Sequence, residues 1–325
     1  MKVLILGTGS VGQRHMRNLA SLAPGIRFVV ARETGAPNPV TDAFAAEVFP
    51  SIPAALREAP DFSVIATPPA CHREALEWLV RSRVPFYVEK PVAASMDGLR
   101  PLLEQARAAG LVTLVGCNLR FLPSLVKLRR LLQDGACGRI VRAHLECGQW
   151  LPDWRPAADY RKSYAARRDL GGGVLLDLIH EVDMARWLFG EFERVDAHHG
   201  HFSDLEIETD DAACVLLSRR GGPVVSLALD YVARHPIRQY RVVGALGTLE
   251  WDLPGRRLRH FRAGEGWREV PTEAADFDLE GTYLAAMRHF LRCLEDKTPT
   301  SQPFAEGLAS LSLALEAAGL SEAAA

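Results

Sequence analysis

Three short groups of residues in this chain have types and spacings suited to chemistry. Gly7-Thr8-Gly9-Ser10-Val11-Gly12 follows the apolar run Val3-Leu4-Ile5-Leu6, Glu89-Lys90-Pro91 ends a second apolar run, and Gly171-Gly172-Gly173 precedes Asp177 and His180. The first group has a mechanical reading. A buried strand turns sharply at Gly7, a diphosphate approaches the backbone where Gly9 has no side chain, and a helix packs closely at Gly12. The phosphates then rest on the free N–H groups at the helix start. A lone match of this kind is weak, because glycines also end ordinary strands. Here the strand lies at the start of the chain, and an amphipathic segment follows through Val11, His15, Leu19 and Leu22. Gly7, Thr8, Gly9, Ser10, Val11 and Gly12 are therefore expected to bind a dinucleotide.

Lys90 supplies the second element. In an open parallel sheet, ligands sit beyond the C-terminal ends of the strands, so a lysine just after the run 84–88 faces the cofactor crevice. Such a lysine binds a hydroxyl or keto oxygen and, where burial lowers its pKa, exchanges a proton as hydride moves. On residue type alone, the alternative is a solvated lysine paired with Glu89. Asp177 and His180 supply the third. At ~3.6 residues per turn, Leu175, Leu178, Val182, Ala185 and Leu188 form an apolar stripe on a helix after the glycines, and Asp177, His180, Met184 and Trp187 share a neighbouring face. Histidine titrates near neutrality, and a carboxylate beside it binds substrate or raises its basicity. The three bare glycines are expected to leave room for a ligand at the helix start. The alternative for His180 is a hydrogen bond within a domain interface.

Cofactor choice turns on Val30-Ala31-Arg32-Glu33. An acid about 20 residues past the glycines holds the ribose hydroxyls of NAD, whereas an arginine accommodates the extra phosphate of NADP. Arg32 leans toward NADP, Glu33 leaves NAD open, and stacking of Arg32 on adenine suits either, so the expectation is NAD(P), leaning NADP. Between residues 150 and 169, Trp154, Arg155, Tyr160, Arg161, Lys162, Tyr164, Arg167 and Arg168 mix cations with aromatics. Aromatic faces suit sugar rings, and guanidinium groups suit carboxylate or phosphate. Trp154, Arg155, Tyr160, Arg161 and Arg168 are thus candidate substrate contacts, with a solvated loop or subunit contact as the alternative.

The elements that must position these groups follow the hydrophobic pattern. Strand-like runs at 28–31, 63–66, 84–88 and 112–116 alternate with helix-like stretches at 70–81 and 96–109, which indicates a parallel sheet covered on both faces. After Pro123, a helix at 124–133 leads to a run at 139–150. Alternating runs at 212–218, 224–231, 239–243 and 248–253 then suggest an open, largely antiparallel sheet. The fold class is α/β: a Rossmann dinucleotide-binding domain (1–120), an α+β substrate and oligomerisation domain (121–302), and a C-terminal helix (303–325). With 325 residues and 48% hydrophobic content, there is material for two cores. A formal net charge of −2 gives no reason to expect nucleic acid. The six cysteines lack CxxC spacing, so no metal site is expected and reduced thiols are the plain reading. The N-terminus resembles neither a signal peptide nor a membrane span, which points to a soluble, cytoplasmic protein.

The glycine loop, Thr67-Pro68 with His72, Glu89-Lys90-Pro91, Asn118-Leu119-Arg120-Phe121, and the glycine run ahead of Asp177 and His180 together resemble the Gfo/Idh/MocA oxidoreductases. That is the family of glucose-fructose oxidoreductase and inositol dehydrogenase. The resemblance extends over nearly the whole chain. It implies a catalytic Lys90 with Asp177 and His180, and cofactor contacts at Thr67, Pro68, His72, Glu89, Lys90 and Asn118. It also implies substrate contacts at Lys90, Arg120, Asp177 and His180, a last helix returning to the nucleotide domain, and a homodimer or homotetramer formed through the second sheet. Many relatives space the aspartate and histidine by four residues, whereas here the spacing is three. Both spacings keep the pair on one helical face, and Asp183 or Glu181 stand as partial substitutes. The tract from Tyr160 to Tyr164 resembles a subgroup linked to surface-polysaccharide and acidic-sugar biosynthesis. The expected activity is hydride transfer between nicotinamide and a carbinol or keto carbon of a sugar, acidic or nucleotide-linked. The competing expectations are a non-catalytic ligand sensor and a reductase of a non-sugar such as a bile pigment or dihydrodiol.

Overall fold

The computed structural model describes residues 1–156 and 158–320. They form two units. One consists of Met1–Cys117 with Tyr283–Leu311, and the other of Asn118–Thr282 with the described residues from Ser312 on. The chain thus re-enters the nucleotide unit at Tyr283, ahead of the break expected at 303.

The nucleotide unit alternates β1 (Lys2–Leu6), α1 (Ser10–Leu22), β2 (Arg27–Ala31), α2 (Pro39–Ala43), β3 (Glu47–Phe49), α3 (Ile52–Leu56), β4 (Phe62–Ile65), α4 (His72–Arg81), β5 (Phe86–Val88), α5 (Leu99–Ala108) and β6 (Thr113–Val115). Its six strands are all parallel, in the order β3-β2-β1-β4-β5-β6. Val3, Leu4, Ile5, Val64, Ile65, Phe86 and Val88 are all fully buried, as strands covered on both faces require. The strand order reverses between β1 and β4, so the loops leaving these two strands border the crevice where such sheets bind ligands.

The second unit contains α6 (Pro123–Gln133), β7 (Ile140–Gly148), α7 (Val174–Asp177), α8 (Ile179–Phe189), β8 (Arg194–Gly200), β9 (Ala212–Ser218), β10 (Val224–Asp230), β11 (Ile237–Gly244), β12 (Gly247–Asp252), β13 (Arg257–Arg262) and β14 (Gly266–Glu269). The eight strands run β14-β13-β12-β11-β7-β10-β9-β8, antiparallel except for the β7–β10 pair. β10 and β12 alternate buried and part-exposed residues, so one face of the sheet is core and the other is open. Helices cover the buried face: the Trp251 indole donates to Ser124 Oγ at 2.9 Å, tying β12 to α6.

α9 (Leu279–Asp296) and α10 (Phe304–Ala317) follow. In the nucleotide unit, Phe290 packs edge-on against Phe62 at 5.6 Å, and Phe304 against Phe86 at 5.6 Å. Each buried phenylalanine contributes about 1.5–3 kcal/mol. A Cβ at Gly307 would lie 2.5 Å from Val115 Cγ2, so glycine lets α10 lie directly on β6.

The segment after the glycine run differs from the expected amphipathic helix in two ways. It breaks at Leu178 (φ −92°, ψ 26°), which separates α7 from α8. It is also buried from Val174 through Arg186, not only along an apolar stripe. The charged residues that periodicity sets beside the apolar stripe are therefore interior, where a charge is costly without a partner.

Candidate active site

At the end of β1, Gly7 adopts φ +99°, and a Cβ there would meet Ala66 O at 2.4 Å. A Cβ at Gly12 would meet Gly7 O at 2.0 Å. These two glycines are packing requirements: the loop must pass close to β4, and α1 close to the loop. A Cβ at Gly9 would meet nothing within 4 Å. Gly9 is also the N-cap of α1, with no side-chain cap and no acid in the first turn. The helix thus presents uncapped N–H groups and its positive end to open space, an arrangement that favours an anion. Two buried polar atoms that follow the strands flanking β1, Thr67 Oγ1 after β4 and Arg32 Nη1 after β2, lack a protein partner. Glu33 is exposed. The residues at these strand ends fit a dinucleotide, with Gly9 and the α1 start for its diphosphate and Arg32 for its adenosine end.

His72 and Glu89, both expected to contact cofactor, are instead occupied within the protein. His72 is fully buried, with Nε2 2.8 Å from Thr67 O and Nδ1 3.1 Å from Pro91 O. Burial pushes its pKa below the ordinary histidine value, against the pull of these carbonyls and of Glu89. Glu89 Oε1 lies 2.6 Å from His15 Nε2 on α1, and Glu89 Oε2 accepts the Lys90 N–H at 3.3 Å. The Glu89 carboxylate is therefore turned toward α1. Lys90 is half-buried and precedes a cis Pro91.

In the second unit, both oxygens of the buried Asp177 carboxylate face phenols. Tyr164 Oη donates to Oδ1, and Tyr231 Oη to Oδ2 at 3.4 Å. Burial first, and then the Asp177 charge, hold the Tyr231 hydroxyl well above its usual pKa, so it remains a donor. Trp154 packs edge-on against Tyr231 at 5.4 Å, and the Arg234 guanidinium lies 3.5 Å over the Trp150 ring. The parallel neighbours β7 and β10 end side by side at Gly148 and Asp230, so Trp150, Trp154, Tyr231 and Arg234 all leave the same end of the sheet. His180 is buried in the first turn of α8, past the break at Leu178 that separates it from Asp177. Tyr164 and Tyr231 escaped sequence reasoning as partners of Asp177; the only signal was aromatic residues near strand ends.

Several expected site residues are held elsewhere. Arg120 makes a two-pronged buried pair with Asp183 (2.8 and 2.6 Å), so neither is placed as an open ligand contact. Glu181 is bound by Arg238 (2.8 and 3.2 Å) and Tyr240 (3.2 Å). Asp183 and Glu181 therefore do not stand in for Asp177. The Asn118 amide donates to Thr282 Oγ1 at 2.6 Å. Arg161 pairs with Asp159 and Glu206, and Arg168 donates to Glu208 O at 3.0 Å. The Tyr160 hydroxyl accepts the Glu206 N–H at 3.3 Å. Arg155 is exposed. Gly172 leaves no space for a ligand: a Cβ there would meet Tyr164 O at 2.1 Å, so this glycine seats the preceding loop. Among the described residues, no cluster of histidine, cysteine or acids is able to hold a metal ion, and no helix is long and apolar enough to cross a membrane.

Two family models match: the NAD-binding Rossmann-fold oxidoreductase domain of GFO/IDH/MocA proteins over residues 1–117, and a C-terminal domain of the same family over residues 125–250. The chain belongs to the Gfo/Idh/MocA oxidoreductase family. Among curated relatives, this family member is 26% identical to scyllo-inositol 2-dehydrogenase (NAD(+)) of Bacillus subtilis, over 92% of this chain and 88% of that protein. It is 25% identical to inositol 2-dehydrogenase of Rhizobium meliloti, over 95% and 93%. It is 28% identical to D-apiose dehydrogenase of Paraburkholderia graminis, where the match covers 73% of this chain but 64% of the relative. In fold it is similar to a levoglucosan dehydrogenase solved with NADH and levoglucosan (TM-score 0.82, 21% identity, covering 98% of this chain and 97% of that one). It is likewise similar to the WlbA dehydrogenase of Bordetella pertussis solved with NADH and UDP-GlcNAcA (TM-score 0.83, 19% identity, 98% and 95%).

Proposed function

We propose that this protein is a nicotinamide-dependent dehydrogenase or reductase acting on a CH–OH or keto carbon of a sugar or sugar derivative. The observation that carries the reading is the uncapped glycine-loop helix start in the nucleotide unit; within the other unit, a buried carboxylate held between two phenols and a buried histidine three residues further on supply groups suited to a hydroxyl-bearing substrate. The nicotinamide, when bound, takes or gives the hydride. The proton at the substrate oxygen must then go to or come from a side chain, and Lys90 and His180 are the groups assigned to it. Asp177, held by Tyr164 and Tyr231, accepts a substrate hydroxyl or orients the histidine. Sugar-type substrates of the curated relatives support a polyol or sugar here. The cluster of Trp150, Trp154 and Tyr231 at one end of the second sheet supports a ring substrate, and Arg234 and Arg155 beside it support an acidic one.

The test is a screen of neutral sugars, inositols, uronic acids and UDP-sugars for reduction of NAD(P)+, with Lys90→Met and His180→Ala alongside. A positioned acid or base speeds proton transfer by ~10² to 10⁴, so both variants are expected to lose kcat on that scale with nicotinamide affinity nearly intact. Wild-type turnover by Lys90→Met would overturn the role of Lys90, and a wild-type protein that binds NAD(P)H and a sugar but turns over no compound of the screen would make a ligand sensor the better reading.

A further inference from the structure

We propose that His15 and His72 are positioning residues that hold the Lys90 turn from two sides, a role that rests on the reading of Lys90 as a proton carrier. His15 acts through Glu89 and ties the lysine to α1, the helix whose start fits the diphosphate. His72 acts through the Pro91 carbonyl and ties it to the Thr67 turn after β4.

The geometry is specific. His15 is fully buried, with Nε2 2.6 Å from Glu89 Oε1, while Nδ1 is buried without a partner among the described residues. The ring is packed 4.7 Å from Tyr87 and 6.1 Å from Tyr283, which leaves it little freedom. The other Glu89 oxygen takes the Lys90 N–H, so one carboxylate joins α1 to the backbone of the lysine. The space for that carboxylate is kept by Gly116, where a Cβ would lie 2.9 Å from Oε2. On the other side, the two nitrogens of His72 reach the carbonyls of Thr67 and Pro91.

Stability alone is a poor reason for such an arrangement. A buried nitrogen without a partner costs about 1–3 kcal/mol, and an apolar side chain of similar volume often does as well as a buried polar pair. Positioning is a better one. A lysine side chain carries ~2 kcal/mol of rotamer entropy, and a working site needs its groups held to about 0.5 Å, so an anchored backbone at Lys90 shortens the flexible part to the side chain itself.

The experiment uses the full chain, reductively dimethylated with 13C formaldehyde. The chain has only five lysines, Lys2, Lys90, Lys127, Lys162 and Lys297, so the Lys90 resonance is identified by its loss in Lys90→Arg. His15→Leu, His15→Gln, Glu89→Gln and His72→Leu are compared for NADH affinity, for the Lys90 resonance and for kcat on the substrate found in the screen. For both leucine variants we expect NADH affinity within threefold of wild type, a displaced Lys90 resonance, and kcat lowered at least tenfold with KM little changed. His15→Gln, which keeps a donor toward Glu89, should restore the resonance. An unmoved Lys90 resonance in folded, NADH-binding His15→Leu and His72→Leu would overturn the proposal. If His15→Leu does not fold, Glu89→Gln carries the same comparison, since it alters the link while keeping its shape. Failure of Lys90 as proton carrier would show as full activity in Lys90→Met, which is separate from the resonance.

Discussion

Arg120→Met is the substitution that separates a substrate contact from a structural pair. Arg120 and Asp183 have side chains 6% and 1% exposed and share two hydrogen bonds of 2.8 and 2.6 Å. Removing the arginine leaves a carboxylate uncompensated in the interior of the second unit, which typically costs 3–5 kcal/mol, roughly. For a unit of this size, each kcal/mol moves the thermal midpoint by about 2–4 °C, so a drop of about 6–20 °C is expected. The double variant Arg120→Met/Asp183→Leu removes both charges and fills the space, and should recover most of the loss, because a buried ion pair and an apolar pair of similar volume differ little. Thermal unfolding followed by circular dichroism, with steady-state kinetics on each variant, measures both quantities. An unchanged midpoint in Arg120→Met with KM raised tenfold or more would refute this reasoning and return Arg120 to the substrate.

Gly9→Val should abolish NADH binding in a fluorescence titration while the far-UV spectrum stays native, because its Cβ enters open space; Gly12→Ala should also lower the unfolding midpoint, because its Cβ would sit 2.0 Å from Gly7 O. Arg32→Ala should weaken NADPH more than NADH by about 1.5–3 kcal/mol, or roughly 10- to 150-fold, if the buried Nη1 meets a 2′-phosphate; equal loss for the two cofactors would indicate adenine stacking. Leu216, Val224 and Trp267 are exposed on the open face of the second sheet, and we expect that face to join copies of this chain: Leu216→Glu should lower the mass measured by light scattering, and an unchanged mass would exclude the face.

Five strands of the nucleotide unit were legible because full burial writes continuous apolar runs, and β9, β10 and β12 because half-burial writes alternation, whereas the short, half-buried edge strand β3 (Glu47–Phe49) was not. β8, β13 and β14 were not: Arg-Leu-Arg-His-Phe-Arg in β13 and Gly-Trp-Arg-Glu in β14 show little of either pattern, since an open sheet face tolerates polar residues. Helical structure around Asp177 and His180 was legible, yet the break at Leu178 that puts them on separate helices was not, because nothing in Leu178-Ile179 disfavours a helix. The Arg-rich stretch misled for a related reason. Its cations stand out in the sequence, while their partners, the Asp159 and Glu206 carboxylates and the Glu208 carbonyl, lie partly outside the stretch.

The sequence by itself determined what short-range geometry controls: a strand ending in a positive-φ glycine, a helix starting without a cap, and a lysine at a strand end. These depend on backbone conformations that neighbouring residues impose. Tertiary structure alone decided which charge meets which. Glu89 finds His15 across 74 positions of chain, Arg120 finds Asp183 across 63, and Asp177 finds Tyr231 across 54. In a buried interior most polar groups take a partner, but packing chooses among many candidates of the same type, and no local pattern records that choice.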